Sequence, residues 1–130
     1  MSTQQAILKK GKIVSEALNN MIVDAIQDIK GKRIIKLDLR KLYDAPTDFF
    51  IICEVESNVQ ARAITDSIYR KVKETLHTTP SHIEGGLLST WIVMDYFDTV
   101  VHVFQRETRA FYELEDLWSD GVATEYADLD

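Results

Sequence analysis

Residues 48–64 read Asp48-Phe49-Phe50-Ile51-Ile52-Cys53-Glu54-Val55-Glu56-Ser57-Asn58-Val59-Gln60-Ala61-Arg62-Ala63-Ile64, and this stretch decides the fold. The nearly unbroken apolar run Phe49–Val55 is too short for a buried helix and reads as a central strand covered on both faces. Ser57, with Gln60 three residues on, has the spacing of a helix-capping box. Ile64, Ile68, Val72 and Leu76 then recur every fourth residue, while Arg62, Arg70, Lys71 and Lys73 decorate the polar side. A buried strand running straight into an amphipathic helix is the start of a crossover connection, so the chain is of the α/β kind.

Working outward, Ile13, Val14, Ala17, Leu18, Met21, Ile22, Ala25, Ile26 and Ile29 form one helical stripe, with Gly31 after Lys30 as its stop. Ile35, Leu37 and Leu39 alternate with Lys36, Asp38 and Arg40, as in a half-buried strand. Turn formers at 44–48 lead into the central strand. Beyond Pro80, His82–Gly86 suggests a short strand, and Trp91–Tyr96 and Val100–Phe104 are close enough to pair as a hairpin around Phe97-Asp98-Thr99. A single last helix over 107–118 is predicted, with Phe111, Leu114, Leu117 and Trp118 at spacings of three, three and one and Phe111, Leu114 and Trp118 sharing one stripe. The expected architecture is one α/β (α+β) domain over residues 1–118, its first few residues frayed, with a mixed five-stranded sheet and flanking helices. Residues 119–130, with four acids and no base, read as an acidic tail.

The 130 residues are 45% hydrophobic and 28% charged, enough for a single self-sufficient core without disulfides or a structural metal. One cysteine and no signal-peptide pattern favour the cytoplasm. No apolar run approaches the roughly 18 residues a membrane span needs, so no membrane role is expected. Net charge of −6 argues against a broad nucleic-acid surface, and its distribution is uneven: +3 over residues 1–75 and −9 over 76–130. An acidic half that is also rich in aromatics suits a basic protein surface.

Catalytic chemistry finds little purchase. Cys53 lies inside the apolar strand, where burial disarms a thiol. His77, His82 and His102 lack metal-ligand spacing, and Gly85-Gly86 precedes a strand rather than a phosphate-binding helix. Asp95 and Asp98 flank a turn that selects Asp for local hydrogen bonding. No cofactor or metal is therefore expected. What remains is a cluster of Trp91, Tyr96, Phe111, Tyr112 and Trp118 close in sequence to Glu84, Asp95, Glu113, Glu115 and Asp116, the composition of a protein interface. Phe111 is expected in the core, and Tyr112, Glu113 and Glu115 partly outside it.

Five blocks in order, namely 48–52, 57–64, Glu84-Gly85 with 91–96, 100–104 and 109–118, make the chain resemble the ribosomal silencing factor (Iojap) family from about Lys12 to Trp118. The resemblance implies a fold similar to nucleotidyltransferases without their glycine-serine loop and paired aspartates. It implies a non-enzymatic factor that binds the large ribosomal subunit through its fourteenth protein and blocks joining of the small subunit. On this basis Trp91, Tyr112 and Leu114 are assigned to the partner face, with Glu84, Asp95, Glu113 and Glu115 meeting basic residues there. His102 and Arg109 also match motif positions, with a structural role as the alternative for both, His102 either hydrogen-bonding inside the sheet or reaching the partner. The family usually shows glycine where Phe97 stands, which suggests a different hairpin turn here.

The alternative is a minimal nucleotidyltransferase-like enzyme, which would need two acids on one strand beside a Gly-Ser turn. A secondary contact with ribosomal RNA would use Lys30, Lys32, Arg33, Lys36, Arg40 and Lys41. An exposed aromatic face would also support a homodimer of the free chain.

Overall fold

The computed structural model describes residues 12–86 and 89–129, with side chains described from Ser15 onward. The start expected to fray, and the side chains of Ile13 and Val14, lie outside these. The elements are α1 (Lys12–Asp28), β1 (Lys32–Asp38), β2 (Phe49–Val55), α2 (Asn58–Leu76), β3 (His82–Glu84), β4 (Trp91–Asp95), β5 (Thr99–Gln105), α3 (Arg106–Tyr112), α4 (Leu114–Leu117) and β6 (Val122–Glu125).

All seven residues of β2 are buried, because β2 lies inside the sheet, between β5 and β1 in the strand order β3-β4-β5-β2-β1-β6. It runs parallel to β5, from Phe49 opposite Thr99 to Val55 opposite Gln105, and antiparallel to β1. The hairpin partners β4 and β5, and then β3 and β4, are antiparallel, which leaves β3 pointing the same way as β2. The α2 helix is the crossover between those two strands, as the spacing predicts.

Capping sets where α2 begins. Ser57 Oγ accepts the Gln60 N–H at 3.1 Å, and Gln60 Oε1 accepts the Glu56 N–H at 3.0 Å. The amide of Gln60 also donates to the carbonyls of Ile29 and Lys30, fastening α2 to the end of α1. Gly31 is the stop for a different reason from the one its residue type suggests. The left-handed residue there is Lys30, at φ 64°, whereas a Cβ on Gly31 would run into Ile26.

The pleat splits the sheet residues between two cores. Ile51, Cys53 and Val55 of β2, Ile92 and Met94 of β4, and Val101 and Val103 of β5 pack under Leu18, Ile22 and Ile26 of α1 and Ile64, Ile68 and Val72 of α2. On the opposite face Phe50, Ile52, Leu37, Leu39 and Phe104 form a smaller core roofed by Leu42, Ala45, Leu114 and Trp118.

Two expectations are corrected. The sheet has six strands rather than five, because residues 122–125, expected within an acidic tail, pair with β1 from Asp38 opposite Val122 to Ile35 opposite Glu125. Gly121 permits this approach, since a Cβ there would stand 2.8 Å from Leu39 Cδ2. Tyr126 donates its N–H to Ile34, and Asp128 accepts the Arg33 N–H at 2.8 Å, so the segment after β6 is also held. The single helix expected over 107–118 is broken at Glu113, which takes φ 49° between α3 and α4. In the β4–β5 turn Phe97 occupies φ 78°, a region glycine enters freely.

Candidate protein-docking face

The α3 helix lies against β5 and β2 on the smaller-core side, and Leu114 of α4 packs into that core, whereas β3 is exposed along its length and Trp91, Val93 and Asp95 of β4 are partly exposed. The β4 pleat directs Trp91, Val93 and Asp95 to this face, and the register sets Glu84 beside Val93 and His82 beside Asp95. His82 Nε2 lies 2.9 Å from Glu84 Oε1, both side chains being exposed. Asp95 Oδ1 accepts the Phe97 N–H at 2.8 Å, so its first task is the turn chemistry expected of it.

Trp91 is half-buried and anchored from several directions. Its ring stacks on Phe104 at 4.8 Å and 28°, and Tyr112 lies against it at 4.8 Å and 48°. Its indole N–H donates to His102 Nδ1 at 3.1 Å. Tyr112, at the end of α3, is 52% exposed, and the ring of Phe111 meets it edge-on at 5.0 Å. Glu113, next along the chain, is exposed. Trp91, Tyr112, Glu84, Asp95 and Glu113 are thus at least partly accessible, on this side of the sheet and at the end of its flanking helix.

The other four predicted site residues are turned inward. His102 is 6% exposed, with Phe50 edge-on at 4.7 Å; burial lowers its pKa to about 4. It is therefore neutral, and because Nδ1 accepts from Trp91 the proton sits on Nε2, which has no partner. Arg109 is 4% exposed: Nε donates to Glu115 at 2.9 Å, Nη1 donates to the Arg33 carbonyl at 2.7 Å, and the same nitrogen lies 3.5 Å from Glu54. Glu115 is consequently engaged as the counterion of Arg109. Leu114 packs into the smaller core. These residues therefore pack behind the accessible ones rather than among them.

Phe111 is the converse case. Expected in the core, it is 80% exposed, and Leu117 is 74% exposed. The break at Glu113 separates α3 from α4, so a stripe drawn through one continuous helix assigns Phe111 wrongly. Cys53 is buried and its thiol is pushed up to about 12 by burial, so it is unreactive. The cations of the β1 region are dispersed and partly engaged. Arg40 makes two side-chain hydrogen bonds to Asp38, Arg33 pairs with Glu54 at 3.2 Å, and Lys32 donates to the Leu129 carbonyl. No group of three His, Cys, Asp or Glu among the described residues could hold a metal, and none of the described helices is long and apolar enough to cross a membrane.

Comparison with known proteins shows the family. Residues 12–130 match the family described as "Ribosomal silencing factor during starvation". The ribosomal silencing factor of Halalkalibacterium halodurans is 32% identical over 111 residues, covering 85% of this chain and 93% of its own length. A crystal structure of a Chromobacterium violaceum protein superposes with a TM-score of 0.75 at 34% identity, covering 80% of this chain and 85% of that one. A more distant relative, mouse "Mitochondrial assembly of ribosomal large subunit protein 1", is 31% identical over 75 residues, covering 56% of this chain and 33% of that protein.

Proposed function

Because this chain belongs to the ribosomal silencing factor family, we propose that it docks on the large ribosomal subunit and represses translation by excluding the small subunit. Its partner in this reading is the subunit's fourteenth protein, met by the face around Trp91 and Tyr112. The carrying observation is that face itself: half-buried Trp91 and exposed Tyr112 and Phe111 alongside accessible carboxylates, next to the exposed strand β3. Aromatic side chains supply large contact area at low entropic cost, and carboxylates steer a basic surface toward them. The name of the mouse relative, which speaks of large-subunit assembly, supports the choice of subunit.

No chemical step is required of the chain. It acts by occupying a surface, and its size is what prevents the two subunits from meeting. The same exposed rings would hold two copies together when no ribosome is present, a state that sedimentation of the free protein reads directly. The main reading is tested by co-sedimenting the purified protein with isolated large subunits, then adding small subunits and scoring joined particles. Binding with fewer joined particles is expected. A folded protein that leaves joining unchanged refutes it.

A further inference from the structure

We infer that His102 is a positioning residue: it accepts the indole N–H of Trp91 and thereby fixes that ring as an apolar, non-donating anchor of the docking face. The inference deepens the proposed function and rests on it. Trp91 and His102 stand on neighbouring antiparallel strands, with Val93 directly opposite His102 and Trp91 opposite Phe104. The indole therefore reaches diagonally across the ladder to Nδ1 at 3.1 Å while its face stays on Phe104. A ring held by stacking alone can slide or turn over its neighbour. A directional hydrogen bond from the ring edge removes that freedom.

Two further observations make His102 more than a core filler. Phe50, edge-on at 4.7 Å, and Phe104, 6.1 Å away, hold the imidazole itself, so the acceptor is fixed before the indole arrives. The Nε2–H is buried without a partner, an arrangement that disfavours the imidazole relative to an apolar side chain of like volume. The Nδ1 acceptor is what this unpartnered donor is retained for. A specificity consequence follows: with its N–H consumed inside the protein, Trp91 has no hydrogen bond to offer. Its counterpart on the partner is an apolar side chain or the methylene stem of Lys or Arg, not an acceptor group.

The test compares His102→Asn, whose side-chain oxygen can stand near the Nδ1 position, with His102→Leu, of similar volume and without an acceptor. In the wild-type protein the Trp91 indole N–H resonance, assigned with Trp91→Phe, should exchange slowly with solvent. It should keep that protection in His102→Asn and lose it in His102→Leu. Affinity for isolated large subunits should fall about tenfold in His102→Leu and stay within about threefold of wild type in His102→Asn. A fast-exchanging indole in the wild-type protein overturns the inference without any variant, which covers the case in which a variant fails to fold. Equal loss of affinity in both variants makes His102 a packing residue only and also overturns it. Wild-type protein that shows the protected indole but no binding removes the docking reading on which the inference rests.

Discussion

Arg109 is the side chain whose removal should be felt most. Replacing it with Met keeps much of the apolar stem and deletes three interactions: with Glu115 at 2.9 Å, with the Arg33 carbonyl at 2.7 Å and with Glu54 at 3.5 Å. Breaking a buried ion pair from one side costs about 3–5 kcal/mol, because the abandoned charge stays desolvated. Glu54 keeps Arg33 at 3.2 Å, whereas Glu115, whose Oε2 already lacks a partner, loses its counterion. The lower end applies, about 3 kcal/mol, a large part of the 5–15 kcal/mol that holds a typical domain folded. With a slope of about 2 kcal/mol per molar, the urea midpoint should fall by about 1.5 M. Arg109→Lys should recover little, since an ammonium cannot span the same fork of acceptors. A loss under about 1 kcal/mol would refute the reasoning, for it would mean that the guanidinium is solvated and that α3 does not dock through it.

Tyr112→Ala should weaken large-subunit binding by about 2 kcal/mol, near thirtyfold, with little change in stability; a titration by co-sedimentation that shows no change removes Tyr112 from the docking face. Trp91→Ala should weaken binding comparably and also lower the melting temperature, because Phe104 loses its stacking partner. Phe97→Gly should stabilise the protein by up to about 1 kcal/mol by relieving φ 78° at an exposed position, and a lower melting temperature would show the turn is not strained. His102 sets a pH dependence: its pKa is about 4 when folded and about 6.5 when unfolded, so the unfolded chain takes the proton first. Its contribution is intact above about pH 6.5 and declines as pH falls toward 4, by up to about 3 kcal/mol. Urea unfolding at pH 7 and pH 4.5 should show a steeper fall for wild type than for His102→Asn, and parallel falls would contradict the burial.

The parts of the fold written in local signals were legible in the sequence. Ser57 and Gln60 announce α2, the apolar run announces β2, and the neighbouring 91–96 and 100–104 segments announce the hairpin. Strand β6 is not legible, since Val122-Ala123-Thr124-Glu125 has all four residues exposed and only the unsatisfied edge of β1 recruits it. Position 113 shows the limit of periodicity. A continuous helix there satisfies propensity, but docking of Leu114 and Trp118 into the smaller core forces Glu113 into a left-handed conformation and turns Phe111 outward. In the site, Trp91 and Tyr112 carried a signal in their size beside carboxylates. An inward role for Arg109 and His102 is one of two readings the sequence leaves open, and nothing local decides it, because their partners Glu54, Arg33 and Trp91 come from other strands and segments.

The pairing of β6 with β1 also orders the molecule in time. Ile35 and Glu125 are neighbours in space but far apart along the chain, so closing this ladder involves one of the largest loops the fold contains. During synthesis β1 emerges early and must wait, one edge bonded to β2 and the other bare, until the residues after Trp118 have left the ribosome. A nascent chain stalled before that point exposes a strand edge able to recruit other chains. Completion of the sheet therefore doubles as a check that translation of this segment has run through β6.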